Sequence, residues 1–443
     1  MILSLAQALR VDSSPCIAFI GAGGKTTAMF QLARELPGPV IVTATSHLGT
    51  WQTELADTHL IAETPAPLEE LAHRWKGVIL VTGEIDGERT KPIHNEMLNW
   101  LQQFCGYHSI PLLIEADGSR QKPLKAWAEH EPPIPSFVES VVQVVGLTGL
   151  GKPLLDEYVH RAGIFSKLSG TNTGERITRD SLVRVLTHPQ GGLKNIPVTA
   201  RKIVLLNQAD THELQSLAQG LAQSLLAFYD SALIASLQQA RVFAVKESMA
   251  GIILAAGESS RYGQPKQLLD WKGDPFIRAV AKTALQAGLA PVVVVTGANA
   301  EQVEHAVRDL NVITIKNDQW TSGQASSIKA GVRSIISTSR AGGAIFLLTD
   351  QPQLTTSVLR ALVEKHAEGL YPVVAPMVMD RRANPVLFDR ATFADLLTLE
   401  GDVGGRAIFH KHRVEYLPWH DDRLLLDVDT PEMYQRLLSD DTL

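Results

Sequence analysis

Leu254–Leu269 reads L-A-A-G-E-S-S-R-Y-G-Q-P-K-Q-L-L, and it decides the fold of the chain's second half. The apolar run Gly251–Leu254 leading into it has the length and make-up of a buried strand. Past Leu254, the residues Ala255, Ala256 and Gly257 carry almost no side chain. A nucleotide's base and ribose can therefore lie against the backbone there. Gly257 and Gly263 can take φ > 0, which curls the loop and aims its N–H groups inward. Arg261 and Lys266 set two fixed positive charges on one short loop. That suits a triphosphate whose leaving pyrophosphate gains charge during reaction. A β–α turn with two solvated cations is the bland alternative. The joint occurrence of the small strand end, Ser259, Arg261, Gly263, Pro265 and Lys266 favours the phosphate reading.

Outward from this loop, strand and helix patterns alternate. Pro291–Thr296 is an apolar β-branched strand running into Gly297 and Ala298. Thr321–Ser327, with Ser326 among its hydroxyls, opens a helix whose free N–H groups could hold an anion or a base. Gly343–Thr349 is fully apolar up to its last residue and ends on Asp350. A carboxylate directly past such a strand is expensive without a cation partner. Leu424–Val428 is the last apolar run, followed by Asp429, Thr430 and Pro431, where Asp429 could equally cap the final helix. The alternation predicts an α/β domain with a doubly wound, mostly parallel sheet and ligands at the strands' C-terminal ends.

The L-A-A-G-to-Lys266 stretch resembles the signature loop of the MobA-like nucleotidyltransferases. The double alanine is most similar to the molybdenum cofactor cytidylyltransferases within that group. This resemblance implies a Rossmann-like domain in which Leu254, Ala255, Ala256, Gly257, Ser259, Thr296, Gly297 and Ser326 contact CTP. It implies that Asp350 and Asp429 hold Mg²⁺, and that Arg261 and Lys266 act on the pyrophosphate. It also implies that Arg381–Phe388 and Glu400–Arg406 face the acceptor, a molybdopterin-type molybdenum cofactor. Ala383 stands where the family usually has glycine.

In the first half, Cys16–Ile20 is an apolar strand running into Gly21-Ala22-Gly23-Gly24-Lys25-Thr26-Thr27 and a helical pattern. Strand, glycine-rich loop, Lys-Thr and helix is the layout of a phosphate-binding loop. Gly21, Gly23 and Gly24 let the backbone approach the phosphates, Lys25 reaches them, and Thr26 or Thr27 offers a hydroxyl to Mg²⁺. Phe19 occupies the first glycine position of the longer Walker spacing, so the loop resembles the shorter one of Mur ligases. Pro111–Ala116 is a strand that reaches Glu115 and Asp117. Either acid could hold metal-bound water, and Asp117 lies nearer the strand's end. Lys202–Leu206 leads to Asn207-Gln208-Ala209-Asp210, similar to a base-reading N-K-x-D motif with Gln208 in place of the lysine. These features predict a P-loop-like domain for ATP or GTP.

Together with V-T-A-T-S-H at Val42–His47, E-A-D-G-S-R, P-L-K, H-E-P-P-I-P and V-H-R at Val159–Arg161, they make residues 2–245 resemble the selenium-dependent hydroxylase accessory proteins of the YqeC type. The resemblance implies nucleotide binding and a molybdenum hydroxylase client. Lys246-Glu247-Ser248 marks the joint, giving expected domains at 1–246 and 249–443.

Composition bounds the rest. With 45% hydrophobic and 20% charged residues and a net charge of −6, the chain is an ordinary globular one without a basic arm for nucleic acid. No apolar run has the length of a membrane span, so the expectation is a cytoplasmic protein. Two cysteines, Cys16 and Cys105, without C-x-x-C spacing support neither a disulfide framework nor a zinc site. Cytidylyl transfer to molybdenum cofactor is the leading reading. A sugar-1-phosphate or guanylyl transferase and a non-catalytic cofactor carrier remain alternatives.

Overall fold

The computed structural model describes residues 3–11, 13–71, 75–258, 262 and 264–440. The chain divides into two compact units, Met1–Lys246 and Glu247–Leu443. In the first, a nine-stranded sheet is built from β1 (Cys16–Gly21), β2 (Val40–Ala44), β3 (Thr58–Ile61), β4 (Val78–Thr82), β5 (Leu112–Glu115), β6 (Ser140–Gly146), β7 (Arg201–Asn207), β8 (Ser231–Ser236) and β9 (Arg241–Glu247). Their spatial order is β9-β8-β7-β6-β1-β5-β2-β4-β3. Every pairing from β8 through to β3 is parallel. Parallel strands are covered on both faces, which is why Ile17–Ile20 and Val78–Val81 are buried without a polar interruption. Alternate residues go to opposite sides. Ala18 and Ile20 join Met97, Leu98 and Leu101 of helix Asn95–His108 in one cluster. Because β1 sits between β5 and β6, the segments following β1, β5, β6 and β7 converge at one edge of the sheet.

The second unit contains β10 (Met249–Ala255), β11 (Val292–Thr296), β12 (Ile313–Lys316), β13 (Gly343–Leu348), β14 (Val373–Val378), β15 (Arg381–Arg382), β16 (Val386–Asp389) and β17 (Val414–Pro418). The order is β12-β11-β10-β13-β16-β14-β15, with β17 on β14. The β12-β11-β10-β13 part is parallel, while β16 runs antiparallel to both β13 and β14. The order reverses between β10 and β13, and such a switch point leaves a crevice beyond the strand ends. Ile253 and Ala255 pack with Ile277 and Val280 of helix Phe276–Gln286 on one face. Ala250 and Ile252 pack with Ile328 and Val332 of helix Gln324–Thr338 on the other. Each isoleucine or valine among them contributes roughly 1.5–3 kcal/mol on leaving water. That anchoring fixes the strand ends from which the loops depart. The run before Asp429 differs from a strand: it is a short turn, Asp422–Leu425, followed by extended chain. Its apolar side chains serve packing, since Leu424 and Val428 are buried in separate clusters.

Candidate active site

A cleft of about 690 Å³ opens at the second unit's switch point. Leu254 at the end of β10 lines it, with Ala256, Gly257, Glu258, Tyr262, Lys266 and Gln267 from the segment that follows; Leu348 at the end of β13 lines it with Thr349 and Asp350. Trp320–Gln324, Ser327, Asp402 and Asp429 complete the walls. The volume lies within the range of small-molecule sites. Lys266 opens a single turn, Lys266–Leu268, behind Pro265. Its ammonium lies 2.7 Å from Asp429 Oδ1 and 3.7 Å from Asp350 Oδ2. Burial pushes the Asp350 carboxyl up to about 6, and the negative charges of Asp427 and Asp429 push it the same way against the pull of Lys266. Its Oδ1 is buried and accepts no hydrogen bond from the described residues. An orphaned carboxylate oxygen beside further carboxylates calls for more positive charge than one lysine supplies. The donor set therefore fits a hard divalent cation. Among the described residues no group of three or more His, Cys, Asp or Glu side chains is arranged as a metal cage. Mg²⁺ is commonly held by one or two carboxylates together with substrate phosphates.

Two further contacts shape the loop after β10. Gln267 donates its Nε2 hydrogens to the carbonyls of Gly257 at 2.6 Å and Ala255 at 3.3 Å. Gly297 packs so tightly on Ala256 that a Cβ there would stand 2.5 Å from the Ala256 carbonyl oxygen.

In the first unit, Gly21, Gly23 and Gly24 have φ of 95°, 83° and 125°. All three lie where only glycine is relaxed. Lys25 is 3% exposed and turns inward. Its ammonium donates to the Gly21 carbonyl at 2.9 Å and lies 3.3 Å from Asp117 and 3.8 Å from Glu115. The Thr26 hydroxyl donates to Glu115 Oε2 at 2.7 Å and accepts from Gln52 Nε2 at 2.8 Å. Asp117 accepts from the Gly21 N–H and the Trp127 indole N–H and pairs with Lys125 at 3.0 Å. Lys125 in turn meets Glu131, which Arg161 also grips. Burial raises the Glu115 carboxyl and lowers the Lys125 ammonium.

Family models match both halves, "YqeC protein" over residues 17–163 and "MobA-like NTP transferase domain" over residues 251–416. Uncharacterized protein YqeC of Escherichia coli K12 is 34% identical over 202 residues, 43% of this chain and 75% of that protein. This chain belongs to the YqeC family and to the MobA-like NTP transferases. Its transferase domain is also similar to nicotine blue oxidoreductase of Paenarthrobacter nicotinovorans, 32% identical over 42% of this chain and 95% of that one. Molybdenum cofactor cytidylyltransferase of Escherichia coli K12 is 24% identical over 41% of this chain and 91% of its own length.

In the transferase domain, Lys266, Asp350 and Asp429 come together, and Leu254, Ala256 and Gly257 line the cleft beside them. Ser259 and Arg261 lie outside the described residues. Ala255 buries its methyl at 1% exposure, and the contact expected of it is through the backbone. Two expected nucleotide contacts are spent inside the fold instead. Thr296 is fully buried, its hydroxyl bonded to Glu304 and the Ile315 carbonyl. Ser326 accepts from Asn317 and donates to the Gly323 carbonyl, and it is the next residue, Ser327, that faces the cleft. One step along a helix turns a side chain by about 100°.

In the YqeC domain the fold ties up Asn207 and one oxygen of Asp117. Asn207 does not face a base: its amide donates to the Gly23 carbonyl at 2.7 Å and its oxygen accepts from the Leu237 N–H at 3.0 Å. It clamps the glycine loop. Asp117 is 1% exposed; its Oδ2 is taken by the Gly21 N–H, Trp127 and Lys125, while its Oδ1 faces the Lys25 ammonium at 3.3 Å and accepts no hydrogen bond from the described residues. The acid beside the Thr26 hydroxyl is Glu115. Asp210 does keep a buried Oδ1 with no hydrogen-bond partner among the described residues, and Thr27 is exposed. Gln52, Gln267 and Trp127 gave no signal in the sequence, because each acts through hydrogen bonds to a segment distant in the chain or folded back on itself.

Proposed function

We propose that the transferase domain moves a cytidylyl group from CTP to the terminal phosphate of a molybdopterin-type molybdenum cofactor and releases pyrophosphate. One observation carries the reading: the Lys266 ammonium stands between Asp429 and Asp350 on the wall of a nucleotide-sized cleft. An oxygen of the acceptor phosphate attacks the α-phosphorus, a P–O bond forms, and the bond to the β-phosphate oxygen breaks with its electron pair leaving on pyrophosphate. Lys266, with Arg261, offsets the charge that gathers on that leaving group. The bare backbone at Ala256 and Gly257 lets the nucleoside lie close. Asp350 and Asp429 are the residues that would hold Mg²⁺, which when bound neutralises phosphate oxygens. Molybdenum cofactor cytidylyl transfer is supported by the relative of that name and by the double alanine at Ala255–Ala256.

For the YqeC domain we infer that the Gly21–Thr27 loop binds ATP or GTP, with Thr26 and Glu115 placed to meet its metal ion. The bound nucleotide would serve maturation of a molybdenum hydroxylase client. Phosphate must displace Lys25 from Asp117 and Glu115, and Lys125 remains to hold Asp117.

Incubating the chain with CTP, Mg²⁺ and molybdenum cofactor tests the transfer, with the cytosine dinucleotide and pyrophosphate as expected products. Dinucleotide formation from GTP, or with a sugar 1-phosphate as acceptor, would reassign the substrates. Tight cofactor retention without pyrophosphate from any nucleotide would leave a carrier. Electron transfer without pyrophosphate would favour the activity named for the Paenarthrobacter relative.

A further inference from the structure

Asp350 and Asp429 reach the cleft from two segments that no sheet ladder joins. Asp350 lies in the turn after β13, and Asp429 follows the turn Asp422–Leu425. Their seam is made of a few hydrogen bonds. The Val428 N–H donates to the Asp350 carbonyl at 3.0 Å. Gln353 Nε2 donates to the carbonyls of Arg423 at 2.9 Å and Leu426 at 2.7 Å. Gln351, 3% exposed, donates from Nε2 to Asp427 Oδ1 at 2.8 Å and to the Leu424 carbonyl at 3.3 Å. Asp427 is the nearest chain neighbour of Asp429 but one, and the Asp429 N–H donates to its carbonyl at 3.1 Å.

We propose that Gln351 is a positioning residue for the cation-holding pair: by gripping Asp427 and Leu424 it sets where Asp429 stands relative to Asp350. Only a primary amide suits the place. Its NH₂ offers two hydrogens, one for a carboxylate and one for a carbonyl. Glutamate there would repel Asp427, and leucine would leave both acceptors without a donor. Asp427 serves as the carboxylate that the amide grips. The assignment builds on the transfer reaction proposed above.

The test uses the full chain, stripped of metal, with Mn²⁺ alone as probe. Removing the outer partner of a metal-ligand set typically weakens binding by about 10–100-fold. Gln351→Leu is expected to weaken Mn²⁺ by that factor and to speed hydrogen exchange across residues 424–430. The exchange is read without metal, so it does not depend on binding. The swap Gln351→Glu with Asp427→Asn restores the bond between the two side chains but not the one to the Leu424 carbonyl, and is expected to recover part of the affinity; it also stands in if the single variant does not fold. Gln353→Leu removes two bonds from the same seam without touching Asp427 and is expected to cost less. The inference is overturned if Gln351→Leu matches the unmutated chain in Mn²⁺ affinity and exchange. It is equally overturned if Gln353→Leu costs as much, or if the swap recovers nothing. Pyrophosphate release from CTP is scored separately. Its absence in the unmutated chain counts against the transfer reaction and leaves the Mn²⁺ comparison readable.

Discussion

Lys266 and Asp429, far apart in the chain, meet with 2.7 Å between ammonium and carboxylate, and the carboxylate side chain remains 52% exposed. An ion pair this exposed stabilises a fold by roughly 0–1 kcal/mol. Its contribution to folding is therefore small, and its place is explained by the ligand it faces. Lys266→Met should leave the circular dichroism spectrum and the melting temperature nearly unchanged. Pyrophosphate release from CTP should fall by about 10²–10³-fold, the usual scale for losing one preorganised charge at a transition state. A variant that turns over normally would remove Lys266 from the reaction.

Asn207 gives a prediction of the opposite kind. Its amide is committed to the Gly23 carbonyl and the Leu237 N–H, so it cannot choose between bases. Asn207→Ala strands a buried carbonyl at a cost of about 1–3 kcal/mol. It should weaken ATP and GTP by equal factors in a fluorescent-nucleotide titration. Asp210, with its unpartnered buried oxygen, is the residue whose change to alanine should alter the ratio of the two.

The glycine loop can be tested by contrast. At Gly23, φ is 83° and an added Cβ would lie 2.4 Å from the Gly146 Cα. At Gly174, φ is 89° and an added Cβ meets nothing within 4 Å. Both alanine variants suffer the left-handed backbone, roughly 1–2 kcal/mol. Only Gly23→Ala must also push apart two backbones, adding about 1–3 kcal/mol. Urea midpoints should rank Gly23→Ala well below Gly174→Ala, and nucleotide binding should be lost only in the former.

His160 carries a pH signature. Burial lowers its imidazole to about 4, with the cations Arg161 and Lys125 pushing in the same direction against Glu131. Its ordinary value is near 6.5, so between about 4 and 6.5 the unfolded chain binds the proton more readily. Stability from this group is then fully present above pH 6.5 and drains away as pH falls toward 4. The melting temperature should drop less between pH 7 and pH 5 in His160→Gln than in the unmutated chain. An identical drop would show that His160 titrates as an exposed residue does.

How far the site was legible in the sequence follows from the range over which each feature is encoded. The buried strands β1, β10 and β13 were readable because a short apolar run is a local pattern, and burial on both faces tolerates little else. Lys266 and Asp350 were readable because each stands in a loop that opens at the end of such a run. Asp429 was readable as an acid at a helix start, but the apolar run before it forms a turn and extended chain, since Leu424 and Val428 are held by packing and not by a ladder.

The sequence by itself determined the two α/β halves and the glycine, lysine and acid positions around the strand ends, because backbone freedom, hydrophobic periodicity and chain order are properties of short segments. Only the tertiary structure decided which polar group spends itself on which. Asn207 on the glycine loop, Glu115 on Thr26, Ser327 in place of Ser326, and Gln351 on Asp427 are settled by atoms that approach from distant segments. A buried polar group takes whatever partner the packing brings within about 3 Å, and that choice is not written next to it in the chain.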